Sequence, residues 1–227
     1  SETFGVREHF LGQLGATPDG RLFRWCYSGG AIGAGERVET SPAVANDDQD
    51  LAVQAAAAVG DTTVSITSAA TIAAGLYDDG YLMINDGAGE GHLYAIKTQP
   101  AVTGAATMTL TLYEQVREAL TTATSLVGLI KNPYKDVIVG GAASNAGATV
   151  GAAPTEITDN DYFWCQVAGP AAVLAEATAM VIGDAIEMGV DVAGAFQLHD
   201  VSAETDKRPL GELMQVAAAR ALRKAPV

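Results

Sequence analysis

Two stretches of the chain, Thr63-Val-Ser-Ile-Thr67 and Thr107-Met-Thr-Leu-Thr-Leu112, alternate apolar and polar side chains with a period of two. That spacing sends successive side chains to opposite faces of an extended backbone, the pattern of a half-buried β-strand. Helical alternatives have little to draw on, because 25 of the 227 residues are glycine and no long Leu/Glu/Lys-rich periodic segment occurs. Strands and turns are therefore favoured over helical bundles. The length fits one large all-β domain or two small ones, either able to bury a core. Much of the 48% hydrophobic content is alanine, so the core rests on scattered Leu, Ile, Val, Tyr and Phe.

The order of strand and turn signals predicts an all-β fold with few or no helices. A small β-barrel or sandwich is expected from the N- and C-terminal segments, 16–50 and 135–227, with a β-rich domain, 51–134, inserted between them. Residues 1–15 read as a polar N-terminal arm carrying Phe4 and Phe10. Thr17-Pro-Asp-Gly20 is turn chemistry and launches a strand over 21–27; a second, over 36–40, is stopped by Pro42. Asn46 to Asp50 reads as an acidic hinge. Within the insert, strands are expected at 51–53, 63–67, 81–84, 92–96, 106–112 and 126–130, with one helical turn at 115–121 and an end at Asn132-Pro133. Residues 140–153, rich in Gly, Ala and Ser, read as a surface link. Beyond it, Tyr162-Phe-Trp-Cys-Gln-Val-Ala168 is the most hydrophobic strand, followed by short strands at 171–174 and 185–188. The segment 211–224 has the best helix propensity of the chain, whereas its all-β context argues for a strand.

Phe23-Arg-Trp-Cys-Tyr-Ser-Gly and Tyr162-Phe-Trp-Cys-Gln-Val-Ala-Gly echo each other. Two matches do not establish a duplication. The likeness does suggest that these strands, from opposite ends of the chain, belong to one barrel.

The formal net charge is −14, with 13 basic against 27 acidic residues. A grip on nucleic acid or an anionic membrane needs clustered Lys and Arg, so neither is expected as a partner. No basic residue lies between Arg37 and Lys97 or between Lys135 and Lys207, whereas Lys207, Arg208, Arg220, Arg223 and Lys224 gather near the C-terminus. That gradient reads either as a tail able to meet an acidic partner or as a solvated excess that keeps the chain dispersed. Cys26 and Cys165 are too few for a disulfide framework. Each follows a tryptophan in an apolar run, where a buried free thiol is the commoner state, and a single bridge between them stays open. No cationic segment followed by an apolar stretch opens the sequence, and no apolar run is long enough to span a bilayer. Neither a signal-peptide-directed nor a membrane-embedded protein is expected.

One constellation invites a chemical reading. From Gly80 to Lys97, two apolar runs flank a glycine-rich acidic tip, which is how a β-hairpin is written, and the tip carries Asp86, Glu90 and His92. Calcium needs several closely spaced oxygen ligands, and Asn85-Asp-Gly-Ala-Gly-Glu offers only three side-chain donors without EF-hand spacing. As an acid–base pair, Asp86 and Glu90 lack a neighbouring Ser, Cys or Lys as partner. His9 and His199 lie in the arm and before an acidic turn. No GxSxG, HExxH, phosphate loop or paired CxxC occurs, and Gly29-Gly-Ala-Ile-Gly-Ala-Gly35 misses the dinucleotide register. Trp25 and Trp164 could stack on a sugar or base, but at strand centres they read as core. No catalytic, cofactor-binding or metal-ligating residue is expected, and no cofactor.

Several segments carry a resemblance: Pro18-Asp-Gly-Arg-Leu-Phe-Arg-Trp, Ser28-Gly-Gly-Ala-Ile-Gly-Ala-Gly, Gly80-Tyr-Leu-Met-Ile-Asn-Asp-Gly-Ala-Gly-Glu-Gly-His-Leu-Tyr, Leu110-Thr-Leu-Tyr, Ala119-Leu-Thr-Thr, Lys131-Asn-Pro-Tyr and Tyr162-Phe-Trp. Through them the chain resembles the head proteins of tailed phages, in particular small proteins encoded beside the major capsid protein in marine and environmental phage genomes. The likeness weakens beyond Val192, where related proteins look as if they end in strands. It implies a non-enzymatic virion structural protein, a capsid decoration or cement protein that binds the major capsid protein lattice as a homo-oligomer. Such a protein would sit on the capsid exterior, and in the host cytoplasm during assembly. The arm before Gly15 and the basic C-terminal residues are the parts expected to touch neighbours. The alternatives are a tail, neck or fibre-attachment protein, and a carbohydrate- or calcium-binding β module using the 85–92 tip with Tyr81 and Tyr94.

Overall fold

A computed structural model describes residues 3–45, 49–142, 144, 146–176, 180–199 and 209–215, and among these the chain is all-β. The first strands are β1 (Thr3–Phe4), β2 (Leu14–Ala16), β3 (Leu22–Tyr27) and β4 (Arg37–Glu39). Next come β5 (Leu51–Ala52), β6 (Thr63–Thr67), β7 (Tyr81–Asp86), β8 (Leu93–Thr98), β9 (Thr107–Leu112) and β10 (Leu126–Ile130). The last are β11 (Ile138–Val139), β12 (Thr149–Ala152), β13 (Tyr162–Ala168), β14 (Ala185–Met188), β15 (Phe196–Leu198) and β16 (Gly211–Glu212). No helix long and apolar enough to cross a membrane occurs among the described residues.

The chain divides into two compact units, Ser1–Ser41 with Tyr134–Val227, and Pro42–Pro133. The sequence reading starts the insert at 51, past the acidic stretch, of which residues 46–48 lie outside the described ones. The unit begins earlier because Val44 already packs on its core.

In the Pro42–Pro133 unit, six antiparallel strands follow in the order β5-β10-β7-β8-β9-β6. The ends of that order meet: Val53, just after β5, bridges Ile66 of β6, and the Gln54 N–H donates to the Ser65 carbonyl at 2.8 Å. The sheet therefore curls into a barrel and hides its edges. Val64 and Ile66, Leu82 and Ile84, Tyr94 and Ile96, and Met108, Leu110 and Leu112 turn inward, each at most 3% exposed. The helical turn expected at 115–121 is instead a bend. Val116 and Leu120 are buried there, and their carbonyls accept the Gly60 and Ala57 N–H groups at 2.9 and 3.1 Å. Backbone groups bonded across to 57–60 are not available to a helix.

The other unit holds a sheet in the order β11-β4-β12-β13-β3-β2, with β1 joining β13 at Tyr162 and Phe163. The Val137 N–H donates to the Tyr27 carbonyl at 3.0 Å and the Gly29 N–H to the Val137 carbonyl at 2.9 Å. These bonds tie the end of β3 to the entry of β11, so this sheet also wraps, around Cys26, Ile32, Val38, Val137, Ala153, Ile157, Phe163 and Cys165. The two echoing strands are direct partners: β3 pairs with β13, and Trp25 lies opposite Trp164. Alternation then sends both cysteines inward and both tryptophans outward. A three-stranded sheet, β15-β14-β16, packs on Met180, Ile186 and Phe196.

Three readings change here. Residues 3–15, the described part of the segment expected as an arm, are stitched onto the barrel. The Gly12 N–H donates to the Trp25 carbonyl at 2.8 Å, the Trp25 N–H to the Gln13 carbonyl at 3.0 Å, and Phe4 and His9 sit 5.3 and 4.9 Å from the Trp25 ring. An outward aromatic face needs a cover, and this segment is it. Residues 140–153, expected as a surface link, supply β12 and bury Ala152 and Ala153. Small residues permit this: a Cβ on Gly151 would lie 2.2 Å from the Gln166 carbonyl oxygen. Residues 171–174, expected as a strand, make no ladder; the Leu174 N–H reaches the Gly35 carbonyl at 2.7 Å. Of the segment 211–224, Gly211–Glu212 is a strand and residues 216–224 lie outside the described ones.

Candidate functional site

The chemistry-bearing residues singled out from the sequence lie at the β7–β8 tip, where Asp86 and His92 are occupied locally. Gly87, Gly89 and Gly91 take φ of 76, 85 and 86° and so make the turn. The Asp86 carboxylate accepts the Gly87 N–H at 2.8 Å; His92 Nδ1 lies 2.9 Å from the Gly89 carbonyl, and its ring stacks on Tyr94 at 5.8 Å. Glu90 is exposed. Among the described residues no group of three or more His, Cys, Asp or Glu side chains is placed to hold a metal ion. The tip is a turn whose polar groups satisfy its own backbone. A Cβ on Gly87 would lie 1.9 Å from the Thr124 carbonyl oxygen, at a φ that disfavours any side chain. Gly87→Ala is expected to destabilise this barrel by about 1–3 kcal/mol, read as a lower urea midpoint by circular dichroism. Tyr94, expected to be an exposed aromatic, is buried, and its hydroxyl accepts the Arg117 N–H at 3.0 Å.

In the other unit, Trp25 is fully buried, stacked against Tyr162 at 6.0 Å and edge-on to Trp164 at 5.0 Å, while Trp164 is half-buried. Neither ring offers a bare stacking face of the kind that binds sugars. Burial, then Tyr162 and the carboxylates of Asp136, Asp159 and Asp161, raises the Tyr27 hydroxyl above its ordinary range. A shallow depression of about 260 Å³ is lined by Arg7, Glu8, His9, Phe10 and Gln13, all from one loop.

Cys26 and Cys165 are both free and buried. Burial, reinforced by the neighbouring Cys165 thiol, pushes the Cys26 thiol well above its usual value, so its reactive thiolate is disfavoured. A chromogenic disulfide reagent is therefore expected to label neither thiol in the folded chain and both after denaturation. Rapid labelling of the native chain would show that the barrel core opens freely.

Two buried ionic groups, not expected from the sequence, lie in the same unit. Arg37 and Glu39 form a fully buried ion pair on β4. Glu187, on β14 and 1% exposed, takes bonds from Gln197 Nε2 at 2.7 Å and His199 Nδ1 at 2.6 Å. Charged residues at alternate strand positions were the only signal of Arg37 and Glu39, and the solvent-facing reading of such a pair is the commoner one.

The surface carries apolar groups that the core does not use. On the arm, Val6, Phe10 and Leu14 are 69%, 71% and 52% exposed; on the Pro42–Pro133 barrel, Leu93, Tyr113 and Ile130 are 48%, 54% and 40% exposed. Val181, Ile182 and Met214 stand out beside the three-stranded sheet, where the Gly183 N–H bonds the Leu213 carbonyl at 2.9 Å. Comparison with protein-family models, with curated proteins and with solved structures finds no match.

Proposed function

We propose that the chain is a non-enzymatic structural protein of a virion head, a decoration or cement protein that docks on the major capsid protein lattice as a homo-oligomer. The observation that carries this reading is the N-terminal segment. Phe4 and His9 pin it to Trp25, while Val6, Phe10 and Leu14 face solvent. A backbone fastened to a barrel and apolar on its outer side is pre-organised for docking, because little ordering entropy remains to be lost. The segments that carry the phage resemblance add support. They build β3, the β7–β8 hairpin and β13, which is scaffold, as in a protein whose work is to hold shape and repeat modest contacts at every copy. The basic C-terminal residues Lys207, Arg208, Arg220, Arg223 and Lys224 lie outside the described residues.

Deleting residues 1–14 is a poor test, since it uncovers Trp25. The better one is Val6→Asp with Phe10→Asp in the full chain, added to particles that lack the protein. Occupancy is expected to fall about tenfold or more, with an unchanged unfolding midpoint. Undiminished occupancy would overturn the docking role of the arm, and absence of the wild-type chain from purified heads would overturn the reading as a whole.

A further inference from the structure

We infer that the outer face formed by β10, β7 and β8 is where two copies of this chain pair about a two-fold axis. A closed antiparallel barrel with solvent around it should be apolar inside and polar outside along every strand. β6 and β9 obey: their outward residues are Thr63, Ser65, Thr67, Thr107, Thr109 and Thr111. β7 and β8 do not. Leu82, Ile84, Tyr94 and Ile96 fill the interior, yet Tyr81, Met83, Leu93 and Ala95 face outward. The register joins them into one patch. Ile130 lies beside Tyr81, Tyr81 beside Ala95 and Met83 beside Leu93, and the Tyr113 N–H bonds the Ala95 carbonyl at 2.9 Å. An apolar row thus crosses three strands on one side of the barrel only, which calls for a cover on that side.

Charge along the same strands identifies the cover. At the tip end stand Asp86 and Glu90, with Asp50 held by the Asn85 amide at 2.7 Å. At the other end stand Lys97 and Lys131, two of only three basic residues between 42 and 133, the third being Arg117; Asp79 is bonded there by the Tyr113 hydroxyl at 3.0 Å. The face therefore runs from negative to positive along the strands. A two-fold axis lying in the plane of the face and perpendicular to the strands reverses strand direction in the second copy, so that each acidic tip lies over the other copy's Lys97 and apolar row meets apolar row. A uniformly acidic partner would meet the tip with like charge, whereas a second copy sets each acidic tip against the other copy's Lys97 and apolar row against apolar row. This assignment specifies the homo-oligomer of the reading above and rests on that part of it. It is tested on the free chain, so its failure leaves arm docking standing, and the reverse.

Sedimentation equilibrium of the full chain is expected to give twice the 23.2 kDa subunit mass. Leu93→Asp, which puts an unpaired charge at the centre of the face, should raise the dimer Kd about a hundredfold or more. Lys97→Glu and Glu90→Lys change exposed side chains only and keep the barrel folded. Each should weaken the dimer about fivefold, and the two together in one chain should restore it. A wild-type chain that stays monomeric at about 100 μM, a folded Leu93→Asp chain that dimerises like wild type, or a charge swap that fails to restore affinity overturns the assignment.

Discussion

Trp25→Ala is expected to lower the stability of the Ser1–Ser41 and Tyr134–Val227 unit by about 3–5 kcal/mol. The side chain is fully buried, with Phe4 and His9 on one side, Tyr162 stacked at 6.0 Å and Trp164 edge-on at 5.0 Å. Truncation leaves a cavity that rings anchored on the N-terminal segment and on β13 cannot collapse to fill. Trp25→Phe is the informative control. Trp25 Nε1 has no hydrogen-bond partner, so phenylalanine forfeits volume and no hydrogen bond, and its cost should be clearly smaller. The chain has two tryptophans, both in this unit, and Trp164 fluorescence in urea reports this unit without interference from the other barrel. The alanine variant should also make residues 5–13 more susceptible to protease, because Phe4 and His9 lose the ring they pack on. A loss below about 1 kcal/mol, or an unchanged cleavage rate, would show that the N-terminal segment is held by its strand hydrogen bonds alone.

The same site shows what could be read from the residues and what could not. β6, β10, β13 and β14 fall where alternation or a short apolar run places them, because a period of two is written in the strand itself. The Trp-Cys echo pointed to one barrel, and β3 and β13 are partners within it. The clasp of the N-terminal segment was not legible. His9 is half-buried only because two outward aromatic strands lie beneath it, a fact of the tertiary fold. Residues 140–153 misled for a related reason: Gly, Ala and Ser spell a loose link and a close approach with the same letters. The β7–β8 hairpin carries a further signal in its sequence. Its runs Tyr-Leu-Met-Ile and Leu-Tyr-Ala-Ile do not alternate, so the strands they form are apolar on both faces. Asp86, Glu90 and His92, the residues that invite a chemical reading, lie in the turn between these runs.

Glu39→Ala is expected to cost the same unit about 3–5 kcal/mol, although glutamate-to-alanine changes on a strand seldom cost so much. Neither Glu39 nor its partner Arg37 has any exposed side-chain surface. The surrounding backbone completes the site. Arg37 Nη2 donates to the Gly141 carbonyl at 2.8 Å, and the other Glu39 oxygen accepts the Ala146 and Gly147 N–H groups at 2.9 and 3.4 Å. The Gly/Ala/Ser segment thus closes over an ion pair instead of an apolar core, and its small residues let carbonyls and amides come within bonding distance. Removing the carboxylate leaves a buried guanidinium without its counter-charge and two amides without an acceptor, and the cost is that of stranding these groups rather than of losing an attraction. The sign of the effect reverses when both partners are removed. Arg37→Met with Glu39→Leu should recover most of the lost stability, since desolvating two charges consumes most of what their pairing returns. Tryptophan fluorescence in urea on Arg37→Met, Glu39→Leu and the double variant gives the cycle. A double variant as unstable as the sum of the singles would show that the two side chains are not coupled, and that each is needed for its own bonds to the Gly141, Ala146 and Gly147 backbone.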